Sequence, residues 1–381
     1  MDTGLLGDAQ LENTMRVHRD RLGLSQQALA KSVGVSRQAI VAIEGGRQVP
    51  STSLGIRLAR ALRCGVEELF RLSADEGLTA RLAPAEAERS HGRTDVDGMR
   101  VAVGEAGGRW VAHALPADPS LSADGIVARG ISGRTALVRP LADPDELRRN
   151  VLVSGCAPIL GTLVQRVGRR FADARATWLP ASSRRSLDLL RDGLVHVAGV
   201  HFSGAAAGED NVTAVRQGFP GRRMLVVNLT RWRQGFVVPA GNPLDLRSAD
   251  AILRPGLRLA LREEGASAHK LLMTLLARER AESLVLRGPF AAGHAEVGQL
   301  VRSGAADVGV AIESVALAAG LGFVPLTEER FDLIVSAEAA GSPPVARLLE
   351  ALDDPGFRAE IAQLPGYDQE ISGHVTTLDA A

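Results

Sequence analysis

Between Ser25 and Gly46 the sequence spells two short capped helices joined by a turn that favours glycine. Ser25 is a good N-cap, and Gln26-Gln27-Ala28-Leu29-Ala30-Lys31 continues from it as a helix. Val33-Gly34-Val35 follows, with Gly34 where a tight interhelical turn needs positive φ. Ser36 then caps a second helix, Arg37–Glu44, which Gly45-Gly46 ends. Leu29, Val35, Ile40 and Ile43 can share one core, which turns Arg37, Gln38 and Val41 outward. A further helix from Ser53 to Arg63 stacks Leu54, Leu58 and Leu62 at i, i+4 spacing. A run of this kind folds as a small all-α bundle with one helix start presented to the outside.

The outward side chains suit base reading. Arg37 can donate two bonds to a guanine edge and Gln38 can pair bidentately with adenine. Gln26, Ser36 and the helix N-termini can hold phosphates, and Arg47 on the following loop can add a charged phosphate contact. Formal net charge over the chain is zero, yet residues 12–71 carry ten Lys/Arg against five Asp/Glu. That pattern fits contact with nucleic acid confined to one module, although a bundle used for protein contacts would tolerate the same excess. The segments LSQQALAKSVGVSRQAIVAIEGGRQVPS and ALRCGVEELF resemble the lambda repressor/Cro (Xre) family of helix-turn-helix regulators. The resemblance covers about sixty residues. It implies that Gln26, Arg37 and Gln38 face DNA and that the protein acts as a homodimer on two half-sites.

At 381 residues the chain is too long for a single compact core. Aromatics make up only 3%, so its cores must rest on Leu, Val, Ile and Ala. Three regions are expected: a helix-turn-helix domain over 11–72, a small β-rich connector over 73–149, and a two-lobed α/β domain over 150–375. In the connector, Gly107-Gly108 between Val101–Val103 and Arg109–His113 reads as a hairpin turn. In the third region short apolar strands alternate with amphipathic helices, the mark of a parallel-sheet α/β fold. The strands expected there are Val151–Val153, Ala176–Leu179, Val195–Val200, Met224–Asn228, Gly235–Val238, Arg258–Leu261, Val308–Ala311, Gly322–Leu326 and Asp332–Val335. Helices are expected at Pro158–Phe171, Ser183–Arg191, His269–Glu279 and Ala295–Ser303.

Three strand-to-helix junctions place small or hydroxyl residues at a helix start: Ser154 to Pro158, Ala181-Ser182-Ser183, and Gly265-Ala266-Ser267. Converging helix N-termini of this kind favour anions, and in an open α/β sheet they lie where ligands bind. LVSGCAP, WLPASSRRSLDLLRDGLVHVAGVHFSG, RWRQGFVVPAGNP and GAADVGVAIESVALAAGLGFVPLTEERFDLIV resemble the periplasmic-binding-protein-like sensor domain (type II, similar to molybdate-binding proteins) found fused to such regulators. By that resemblance Phe236–Pro243 is the crossing strand into the second lobe and Phe323–Val335 the return. The family's third loop usually reads Gly-Ser-Gly-Thr-Arg, whereas this chain has Gly265-Ala266-Ser267-Ala268-His269. Two hydroxyls and a fixed positive charge are missing there, which weakens the case for molybdate or tungstate. The ligand-contact residues expected are Ser154, Cys156, Ser182, Ser183, His201, Ser267 and His294.

Cys64 and Cys156 fit no metal-ligand spacing, and Cys156 has no partner base nearby in sequence. His196, His201, His269 and His294 are scattered and read mainly as structural, with His201 and His294 placed to line the cleft. No nucleophile elbow, P-loop or dinucleotide fingerprint is present, so no catalytic residue, metal or cofactor is expected. The expected partners are double-stranded operator DNA, a small polar or oxyanion effector and a second copy of the chain. A membrane is not among them, and the absence of a signal-like start places the chain in the cytoplasm. The competing readings are a ligand-independent repressor or scaffold with a decayed cleft, and an enzyme carrying an autoregulatory DNA-binding domain.

Overall fold

The computed structural model describes residues 10–73, 77–84, 96–116, 121–132, 134–202, 210–278 and 285–380. Ser203 and Gly204 of the quoted motif, and Glu279 at the end of one expected helix, lie outside them. The chain divides into two compact units, Met1–Leu78 and Thr79–Ala381.

The first unit holds helices α1 (Met15–Arg21), α2 (Gln26–Val33), α3 (Arg37–Glu44), α4 (Thr52–Leu62) and α5 (Val66–Leu69). Ser25, Ser36 and Ser51 each accept a hydrogen bond from the backbone N–H three residues on, so every core helix of the motif is capped as its sequence implies. Gly34 adopts φ 68°, the left-handed conformation the α2–α3 turn requires. Met15, Leu29, Ile40, Ile43, Leu58 and Leu69 are almost wholly buried in a single cluster. The strands β1 (Gln10–Asn13) and β2 (Phe70–Ser73), absent from the sequence reading, pair antiparallel and clasp the two ends of the bundle.

The second unit begins with a closed barrel of β3 (Leu78–Leu82), β4 (Arg100–Ala106), β5 (Arg109–Ala114), β6 (Gly125–Ser132) and β7 (Thr135–Pro140). Gly107 and Gly108, both at positive φ, turn β4 into β5 as the hairpin signal implied. The barrel continues into α6 (Pro144–Arg148) and packs on the α/β body. Asn150 donates to Val103 O at 2.7 Å, and His196 bridges Leu152 N and Glu105 O at 2.9 Å each. Gly104 also lies close to the body, where a Cβ would meet Asn150 O at 2.9 Å.

The α/β body contains β8 (Asn150–Gly155), α7 (Ile159–Arg170), β9 (Arg175–Pro180), α8 (Ser183–Arg191), β10 (Val197–Val200), α9 (Asn211–Gly218) and β11 (Met224–Val238). It continues with β12 (Leu259–Ala260), α10 (Ser267–Arg278), α11 (His294–Arg302), β13 (Val308–Ile312), α12 (Glu313–Ala318) and β14 (Gly322–Ser336). Three C-terminal helices, α13 (Ala337–Ala340), α14 (Pro343–Glu350) and α15 (Pro355–Ile361), and two short strands, β15 (Tyr367–Asp368) and β16 (Val375–Leu378), complete it.

The sheet is mixed where the alternation of strands and helices suggested a parallel one. β8 pairs parallel with β9 and β10, and β12 with β13, but β14 and β11 run antiparallel to their neighbours. The expected pairs Met224–Asn228 with Gly235–Val238, and Gly322–Leu326 with Asp332–Val335, are not separate strands. Each pair is one strand of 15 residues that passes through both lobes. The crossing is made within these strands, and Pro239–Pro243 forms turns beyond β11 rather than part of the crossing. The first lobe is built on β8, β9, β10 and one half of β11 and β14, the second on their other halves with β12 and β13. Apolar clusters cover both faces of each lobe's sheet. Among the described residues no helix is long and apolar enough to cross a membrane.

Candidate functional site

In the first unit, the start of α3 presents Ser36, Arg37 and Gln38 to solvent, and Arg47 is exposed just beyond its end. The Ser36 hydroxyl already accepts from Ala39 N at 3.1 Å, and its O–H remains available to donate to a phosphate. Gln26 is less free than its position in sequence suggested. Its amide donates to Glu44 at 2.9 Å, and Glu44 also takes Arg19 Nε at 2.7 Å, tying α1, α2 and α3 together. What Gln26 offers a phosphate is therefore an amide already oriented by Glu44.

In the second unit, Cys156, Ser182, Ser183, His201, Arg262, Ala266, Ser267, Ala268 and His294 line one tight pocket. Cys156 and His201 follow β8 and β10 in the first lobe, and Ser182 and Ser183 begin α8. Ser267 and His294 open α10 and α11 in the second lobe. Gly265 is a requirement of this approach, since a Cβ there would stand 2.9 Å from Ser182 Oγ.

The serines expected to hold a ligand are largely occupied. Ser154 is fully buried and shares a 2.9 Å hydrogen bond with Ser186, away from the pocket lining. Its expected ligand contact is therefore corrected: the side chain of this β8 residue turns toward α8. Ser183 Oγ donates to the backbone oxygen of His201 at 3.1 Å and accepts from its N–H at 3.0 Å. Ser267 Oγ donates to the same oxygen. Only Ser182, which makes no side-chain cap, keeps its hydroxyl for the pocket.

Around His201 lies a line of polar contacts that sequence distance concealed. Cys156 Sγ is 3.0 Å from His201 Nε2, and His201 Nδ1 is 2.5 Å from Glu329 Oε2. Gln234, with its amide oriented to satisfy the network, donates to both oxygens of Glu329 at 2.7 and 2.5 Å. Burial opposes a charged imidazole at His201, but the Cys156 sulfur and the Glu329 carboxylate outweigh it and hold the ring up to about 10. Trp232 packs edge-on against His201, ring centroids 4.9 Å apart. His294, 2% exposed, has no hydrogen-bond partner at either ring nitrogen, and burial drives its protonation well below the usual histidine range, helped by Arg262 and His201. Trp232 Nε1 likewise lacks an acceptor.

Arg262, 4% exposed, was not picked out in the sequence. It supplies the fixed positive charge that the altered third loop lacks, and it forks onto Glu263 at 3.0 and 3.1 Å. Cys156 has no partner nearby in sequence, but the fold brings His201 and His294 to it, with the donor atoms of all three within 4.8 Å of one another. Spacing along the chain could not reveal a group assembled from three separate strand-to-helix junctions.

Residues 15–69 match the helix-turn-helix family, and residues 164–353 match the PBP superfamily domain. Over 66 residues the chain is 48% identical to an uncharacterized HTH-type transcriptional regulator of Methanothermobacter thermautotrophicus, covering 17% of this chain and 96% of that one. Over 237 residues it is 25% identical to the uncharacterized protein YvgK of Bacillus subtilis, covering 61% of this chain and 75% of that one. Among solved structures it is similar to a putative phosphate ABC transporter substrate-binding protein from Clostridium perfringens with bound phosphate. That likeness has TM-score 0.47 and 10% identity, over 57% of this chain and 99% of the other. The effector-binding domain of QuiR in complex with shikimate is also similar, with TM-score 0.38 and 13% identity over 53% of this chain and 94% of the other.

Proposed function

Because the chain belongs to the HTH-type transcriptional regulators and carries a periplasmic-binding-protein-like domain, we propose that its operator binding is set by a small ligand taken up between the two lobes. The match to an HTH-type transcriptional regulator and to the PBP superfamily domain supports a regulatory rather than an enzymatic role.

The observation that carries the reading is the pairing, in one chain, of an exposed recognition-helix start with a pocket contributed by both lobes. Arg37 and Gln38 read base edges, Gln26, Ser36 and Arg47 hold the backbone, and a homodimer engages two half-sites in the cytoplasm. A ligand that binds the closed lobes more tightly than the open ones shifts the population toward closure. The regulator responds by as much as that difference in affinity. An oxyanion is favoured by Arg262, just beyond β12, and by the free hydroxyl of Ser182 at the start of α8. Against it stand the hydroxyls of Ser183 and Ser267, both already donated to the protein's own backbone.

Fluorescence anisotropy with the full chain and DNA from upstream of its own coding region tests the proposal. The expected result is saturable binding at low salt that shifts when a cleft ligand is added. No DNA binding at low salt defeats it. A flat thermal-shift screen of oxyanions and small metabolites, with DNA binding intact, favours a repressor whose cleft has decayed.

A further inference from the structure

We propose that the interlobe pocket is a binding site for a single thiophilic transition-metal ion, Zn²⁺ or Cu⁺, held by Cys156 Sγ and ring nitrogens of His201 and His294. This rests on the ligand-responsive reading above only for its regulatory meaning; the site itself stands on its own geometry.

The donor atoms of Cys156, His201 and His294 all lie within 4.8 Å of one another. A tetrahedral zinc with bonds of about 2.3 Å to sulfur and about 2.0–2.1 Å to nitrogen separates its ligands by roughly 3.3–3.8 Å. Small side-chain rotations bring this cluster into that range. The ion takes the place of the proton that now joins His201 Nε2 to the Cys156 sulfur, so uptake releases a proton.

The unsatisfied groups select the kind of ligand. A pocket built for an oxyanion leaves donors free, yet Ser183 and Ser267 have spent theirs on His201 O. Also left unpaired is His294, a neutral imidazole buried to 2% exposure with both nitrogens orphaned at the pocket wall. Such a ring is a Lewis base without an acid, costly to bury and stabilised by a metal ion. On the far side of His201, Glu329 accepts from Nδ1 and is itself held by Gln234. That fixes the tautomer with Nε2 toward the ion, the carboxylate–histidine–metal arrangement of protein metal sites. One thiolate and two imidazoles suit zinc and copper over magnesium or calcium. Ser182 and Arg262 line the rest of the pocket.

Cys156 and His201 belong to the first lobe and His294 to the second. An ion bound to all three binds the lobes to each other.

The test uses the full chain stripped of metal. Titration with Co²⁺ should give one equivalent per chain, with a thiolate charge-transfer band and tetrahedral d–d absorption. Zn²⁺ should displace it in competition with a chromophoric chelator. Cys156→Ser should abolish the charge-transfer band, and His294→Gln should weaken Zn²⁺ binding by 100-fold or more. Glu329→Gln should weaken it by about 10- to 100-fold, while Cys64→Ser, in the first unit, leaves it unchanged. Should the variants fail to fold, the wild-type cobalt spectrum decides by itself. Absence of a thiolate band, or wild-type affinity in both Cys156→Ser and His294→Gln, overturns the proposal. Stabilisation by molybdate or phosphate with no metal uptake also overturns it, and leaves the regulator reading standing. Metal uptake with operator affinity unchanged supports the site and removes the regulatory reading instead.

Discussion

Glu44 Oε2 accepts from the amide of Gln26 at 2.9 Å, and the other oxygen of the same carboxylate accepts from Arg19 Nε at 2.7 Å. One carboxylate at the end of α3 therefore fixes both neighbouring helices. Both charged side chains are well covered, at 11% and 7% exposure. Glu44→Ala removes the carboxylate shared by Arg19 Nε and Gln26, leaves Arg19 its contacts with Asp20 and Leu24 O, and should cost about 1–2 kcal/mol. Thermal unfolding of the full chain, followed by a probe in the first unit, reads this as a lowered midpoint. An unchanged midpoint would show that the tie is dispensable.

The exposed start of α3 separates base readers from backbone holders. Arg37→Ala and Gln38→Ala should each weaken binding to the preferred site by about 1–3 kcal/mol and relax discrimination against mismatched DNA. Arg47→Ala should weaken binding to all sequences alike and flatten the salt dependence by about one phosphate contact. Anisotropy titrations on cognate and scrambled duplexes at several salt concentrations distinguish these patterns. Equal loss on both duplexes for Arg37→Ala would place that residue on phosphate instead.

Acid should weaken the second unit through His113. Burial lowers its pKa to about 4, against the partial support of its 2.6 Å hydrogen bond to Leu194 O. The unfolded chain, with an ordinary histidine near 6.5, takes up a proton between these two values while the native state does not. Stability from this residue is thus complete above about pH 6.5 and declines as pH falls toward about 4, by an amount on the order of 3 kcal/mol. Denaturant midpoints across pH 4–7 measure it. His113→Gln, which keeps an N–H donor without a titrating ring, should flatten that part of the profile.

Gly235 sits at a register shift between the two long strands, and a Cβ there would lie 2.1 Å from Val324 O. The neighbouring atom is backbone, so no side chain can yield. Gly235→Ala should cost roughly 1–3 kcal/mol by forcing the strands apart. A thermal midpoint equal to wild type would mean the ladder adapts freely at this point.

The bundle was legible in the sequence because its signals are local. A serine cap, a glycine turn and i, i+4 leucines lie within a few residues of one another, and Ser25, Gly34 and Ser36 do what their positions imply. The clasp of β1 on β2 was not legible, since four residues at each end pair across almost the whole bundle. Similarly, the lobed body was readable as strands and helices, but the continuity of β11 was not. Asn228 to Gln234 reads as polar and broken, yet Asn228, Thr230 and Gln234 are fully buried and hydrogen-bonded inside the fold. Of the pocket, hydroxyl residues at helix starts gave the location, but Ser154, Ser183 and Ser267 turned out to bond within the protein itself. Glu329 and Arg262 carried no pattern at all, because their roles come from His201 and from the opposite lobe's loops.

The two lobes are joined by strands that pair with each other along nearly their entire length. A slip of one residue in such a ladder would turn every side chain to the wrong face, so the lobes have no freedom to slide. They can twist where the ladder is already irregular, at Asn228/Thr230 and at Gln234/Gly235. Trp232 and Glu329 face each other in register between those two irregularities, and both lean on His201. The buried cluster therefore rests on the pair of strands that joins the lobes, between the two places where their ladder is irregular.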